Sequence, residues 1–65
     1  MTKQKIRDTL NERINQLRDQ YYANDTKADN YHEEGNFADE EWHREACIRI
    51  MARISEIEMM LTLLK

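Results

Sequence analysis

Sixty-five residues allow one domain, and a chain this short falls where a single hydrophobic core is marginal. With no Pro, only one Gly and 35% charged residues, an all-β chain is excluded for want of turn signals, and so is a membrane-spanning one, which needs about 20 consecutive apolar residues. The net charge of −3 hides a contrast, because residues 25–45 set eight acids against Lys27 and Arg44 for a net −6, whereas residues 1–20 carry +2 and residues 46–65 carry +1. That acidic middle disfavours nucleic acid as a partner, since neutralising phosphates needs a sustained basic surface.

The first apolar series is Ile6, Leu10, Ile14, Leu17 and Tyr21. Its steps of three and four put the side chains on one face of a helix, and the stripe continues through Asn24, Ala28 and Tyr31. One long helix is expected over about residues 3–34. Asn24-Asp25-Thr26, three poor helix formers in a row, mark where a kink or fraying is expected.

Gly35-Asn36 is the one strong stop-and-start signal. Glycine can take the left-handed conformation that ends a helix, and Asn36 is then a good N-cap, with Asp39, Glu40 and Glu41 at the start of the next helix, where the dipole favours negative charge. The second helix is expected over about residues 37–64. Two helices of near-equal length around a short connection predict an all-α fold, a two-helix antiparallel hairpin.

The second helix carries two apolar series. Cys47, Ile50, Ile54, Ile57, Leu61 and Leu64 form a coiled-coil seam, expected to pack on Ile6, Leu10, Ile14 and Leu17, with Ala46 and Met51 widening it. Ile48, Ala52, Met59 and Leu63 lie on a different side, which a lone hairpin would leave wet. These four, together with Tyr22, are the expected interface of a homodimer that completes a four-helix bundle. Tyr21 and Tyr22 are about 100° apart on the helix and are expected on different faces.

Around the turn, Tyr31, His32, Glu33, Glu34 and Trp42 mix aromatic rings with acids. They form a candidate surface for a protein partner, because exposed Trp and Tyr are favoured at binding hot spots. The bland alternative is that Tyr31, Phe37 and Trp42 close the end of the bundle while the acids face water. His43 and Cys47, four apart, are usable zinc ligands, but paired ligand motifs are lacking and neither metal nor cofactor is expected. With one cysteine there is no internal disulfide, and with charge beginning close to the N-terminus no leader is expected, so the chain reads as cytoplasmic. No nucleophile–base set or phosphate loop points to an enzyme.

The size, the hairpin plan and the opening Met1-Thr2-Lys3-Gln4 resemble the plasmid-encoded repressors of primer, dimeric four-helix bundles that bind paired RNA loops. The stripes here do not follow that family's alternating small and large core layers, so a nucleic-acid-binding hairpin stands only as the alternative. The short hairpin phosphatases of sporulation signalling are similar in size. Their Ser-Gln-x-x-Asp motif has its nearest counterpart at Ser55-Glu56-Ile57-Glu58-Met59, which lacks both Gln and Asp. In length and plainness the chain also resembles the small helical accessory proteins of bacteriophage early regions. That resemblance implies a regulator that binds and redirects a host protein.

Overall fold

The computed structural model describes residues 2–64 and is a hairpin of two helices, α1 (Lys3–Glu33) and α2 (Phe37–Leu63), measuring 49 × 15 × 13 Å. Each helix stops one residue short of its expected end, because Glu34 and Leu64 serve as C-caps. No described helix is long and apolar enough to cross a membrane.

The ends of the helices are set by local chemistry. Thr2, whose capping role the sequence reading passed over, accepts the Lys5 N–H on its hydroxyl at 3.2 Å and starts α1. At the other end the Gly35 N–H donates to the His32 carbonyl at 3.1 Å and the Asn36 N–H to the Tyr31 carbonyl at 2.9 Å. This paired closure satisfies the last carbonyls of α1 and requires the positive φ of 74° that Gly35 supplies. Asn36 then turns to its second task, with its side chain at the Asp39 N–H and carboxylate as the N-cap of α2.

Helix α1 is continuous through Asn24-Asp25-Thr26, the point at which the sequence left its continuity open. Three tertiary and local bonds override the poor propensity. The Asn24 amide donates to the Gln20 carbonyl at 2.8 Å, its oxygen faces His43 at 2.8 Å, and Asp25 pairs with Arg44. One turn later Ala28 is fully buried, which holds the segment against α2.

Ile14, Leu17, Ile50, Ile54 and Ile57 form the core, with Leu10, Tyr21 and Leu61 packed against it. The antiparallel direction follows from the order of contacts. Arg7 donates to the Leu64 carbonyl at 3.5 Å, the Cys47 thiol to the Tyr21 carbonyl at 3.6 Å, and Arg44 reaches Asp25 and Asp29. Ile6 and Leu64 line one apolar cleft at the open end, as antiparallel pairing requires. Arg7 also puts a positive charge on the C-terminus of α2, which has no basic residue in its own last turn.

Candidate interaction surfaces

The surface around the turn divides in two. Tyr31 is half-buried and stacks on His43, with ring centroids 5.5 Å apart, and Trp42 meets the same imidazole edge-on at 4.8 Å. His43 is therefore held between two aromatic rings and bonded to Asn24. The Asn24 amide nitrogen already donates to Gln20, so its oxygen is the atom facing His43, and Nδ1 of the imidazole must carry the shared proton. The polar residue in the α1 stripe and the histidine at the end of the α2 stripe are thus partners, a pairing that neither series disclosed alone.

On the other side of the turn, His32 lies 3.0 Å from Glu40 and meets Phe37 edge-on at 6.0 Å. Arg44 reaches three carboxylates, Glu40 on its own helix and Asp25 and Asp29 on α1, at 3.1 to 3.6 Å. The His32 hydrogen bond holds the Glu40 carboxyl below its ordinary value; partial burial opposes this and Arg44 adds to it. Donating hydrogen bonds to Asp29 and then to Glu40 pushes the Arg44 guanidinium up. Glu33 and Glu34 face water. The five candidate residues thus divide among different contacts. Tyr31 and Trp42 belong to the His43 cluster, His32 to the Arg44 network, and the two glutamates to neither. Within the single chain Phe37 and Trp42 stay 63% and 59% exposed, while Tyr31 is half-buried.

Of the two usable zinc ligands, His43 has Nδ1 committed to Asn24, while the Cys47 thiol points at the Tyr21 carbonyl. Burial, with Asp25 adding to it, pushes that thiol up, so it is a poor nucleophile at neutral pH.

The outer series of α2 stands open. Ile48 is 70%, Met59 68% and Leu63 79% exposed, with Ala52 between them also exposed. At 100° per residue these four fall within about 60° of one another and roughly opposite Ile50 and Ile54. Tyr22, the fifth expected interface residue, is elsewhere: it lines a shallow groove on one edge of the hairpin with Tyr21, Met51 and Arg18. Its ring meets Tyr21 edge-on at 5.9 Å, but Tyr21 packs against the core while Tyr22 is 66% exposed, as their offset of about 100° on the helix implies.

The opposite edge holds a groove of about 350 Å³ that the sequence reading missed. Arg13 stands on its α1 side and Arg49 and Arg53 on its α2 side, with Trp42 at the end nearer the turn. Among the described residues these three arginines form no ion pair; Arg13 bonds only to Gln16, at 3.2 Å. The signal was present in the sequence as Arg49 and Arg53 one turn apart, but Arg13 joins them only through the hairpin register. Comparison with protein-family models, with curated proteins and with solved structures gives no match.

Proposed function

We propose that this chain is a non-enzymatic, cytoplasmic protein-interaction module that works as a homodimer, of the kind a phage or bacterial regulator uses to bind a host protein. The observation that carries the reading is the outer stripe of α2. Three large apolar side chains, each more than two-thirds exposed on one helix face, are costly in water and mark a contact surface.

The stripe's own spacing supports a second copy as its cover. Ile48, Ala52, Met59 and Leu63 are separated by four, seven and four residues, the same from either end. An antiparallel copy in register sets Ile48 against Leu63 of the partner subunit and the small Ala52 against Met59 of the partner subunit, with the two-fold axis between Ser55 and Glu56. A parallel copy would set Ala52 on Ala52 and leave a gap. It would also put two −6 turn ends side by side, whereas the antiparallel copy carries each past the other's +3 open end. Because the stripe faces away from α1, the dimer is a four-helix assembly with the two α2 helices in the middle.

Sedimentation equilibrium at micromolar concentration tests this. Twice the 7.9 kDa chain mass is expected, falling to the single mass in Met59→Asp. A helical wild-type protein at 7.9 kDa would refute the dimer.

A further inference from the structure

We infer that the groove bounded by Arg13, Arg49, Arg53 and Trp42 is a docking site for an acidic amphipathic helix of a partner protein. This rests on the reading of the chain as an interaction module but not on its dimer.

The argument begins with charge. Arg49 and Arg53 are one helical turn apart on α2, where like charges repel, and Arg13 faces them across the groove from α1. No carboxylate among the described residues pairs with any of the three, although the same molecule neutralises Arg44, less than two turns from Arg49 on α2, with three acids. Three unpaired guanidinium groups around one groove call for an anionic ligand, and their planar forks suit carboxylates.

The shape narrows the ligand. The groove runs between two antiparallel helices, and a third helix seated there completes a three-helix layer, the usual way a groove takes an amphipathic helix. Ala46, small and half-buried, leaves a dip beside Trp42, which is 59% exposed and offers an aromatic wall. An apolar residue of the ligand fits against Ala46 and Trp42 while acids on either side reach Arg13 and the Arg49–Arg53 pair. From Trp42 to Arg53 is roughly 16 Å along α2, about three turns of helix. Glu56 lies on the wall of the adjoining hollow beyond Arg53 and limits an acidic ligand at that end. Nucleic acid fits less well, because a phosphate chain leaving the arginines meets either Glu56 or the −6 segment beyond Trp42. The groove is centred about a quarter turn round α2 from the Ile48–Leu63 stripe, with Arg49 on the side nearer to it.

Trp42 is the only tryptophan, so its fluorescence reports the groove directly. The probe is a capped helical peptide of about twelve residues, roughly 18 Å long, with one leucine stripe flanked by glutamates. Its Glu→Gln and Glu→Lys versions and a twelve-nucleotide single-stranded DNA serve as comparators. The full-length protein should bind the acidic peptide with a shift in Trp42 emission. Affinity should fall by at least about tenfold with the Gln peptide or in Arg49→Glu/Arg53→Glu, and the Lys peptide should regain binding to that double variant. An acidic peptide that leaves the emission unchanged at 100-fold excess, a Gln peptide that binds equally well, or DNA that binds more tightly than the peptide would each overturn the proposal. Sedimentation of the same samples separates the two readings. A monomeric wild type that still binds the peptide refutes only the dimer. A double variant that loses dimer mass while staying helical shows that the groove is the self-contact, and refutes the docking site.

Discussion

The two faces of α2 carry similar side chains and meet opposite fates. On the inner face Ile54 is 2% exposed and belongs to the core with Leu17, whereas on the outer face Ile48 is 70% exposed and lies outside that core. One isoleucine is explained by the hairpin and the other is not. The difference teaches that packing within one chain accounts for the inner series of this helix and leaves the outer series in water, which is the observation that the proposed second copy would explain.

The sharpest way to break that comparison is to put a charge on each face in turn. Ile54→Asp buries an unpaired carboxylate in the core and should cost several kcal/mol, about the whole stability of so small a domain, so no cooperative melt should survive at any concentration. Met59→Asp should keep the inner seam and instead remove the rise of melting temperature with protein concentration that a dimer shows. If both variants behave alike in thermal melts at two concentrations, the two faces are not distinct. Next in size, Leu17→Ala removes a side chain that is 2% exposed and should cost about 2–5 kcal/mol by urea denaturation, whereas Leu63→Ala should cost far less per chain once the dimer is diluted apart.

The turn end provides a second, smaller contrast, because polar pairs rather than aliphatic packing hold it. Asn24→Ala strands the His43 N–H and should cost about 1–3 kcal/mol, with amide exchange in residues 20–28 rising before that in the Ile14–Ile54 region. Gly35→Ala meets no neighbour within 4 Å, so only the strain of a φ of 74° is at issue, and a loss of about 1 kcal/mol is expected. Gly35→Asn should lose less.

The smallest effect is electrostatic. The folded-state pKa of Glu40 is depressed, so its contribution is fully present above the ordinary value of 4.5 and is lost as pH falls through the depressed value. Melts from pH 6 down to pH 2 should show Glu40→Gln losing less stability on acidification than wild type. Added salt should weaken the Arg44 network in the same direction, because Arg44, Asp25 and Asp29 are open to solvent.

The hairpin itself was legible in the sequence because two strong signals agreed: apolar residues at helical spacing, and one Gly-Asn pair between them. The open face of α2 was legible for the same reason, since Ile48, Ala52, Met59 and Leu63 fall out of phase with the seam. Features that depend on the register between helices were not legible. Asn24 reads as a poor helix former until His43 is beside it, and Arg13 is an ordinary surface residue until α2 brings Arg49 and Arg53 across the groove. The contacts around the turn were not legible either, because neighbours in sequence point to different partners in space. Tyr31 and His32 are adjacent in the chain, yet one stacks on His43 and the other pairs with Glu40.

The most direct test of the central claim, that a second copy covers the outer face of α2 in antiparallel register, is one intermolecular distance. Ala38 is exposed near the start of α2, and a spin label there in a Cys47→Ala background reads both association and orientation. With the two-fold axis between Ser55 and Glu56, the two labels lie on the order of 50 Å apart, set by about 35 residues of helical rise. A separation near 15 Å would mean parallel chains, and no intermolecular distance at micromolar concentration would mean that the stripe has no second copy on it.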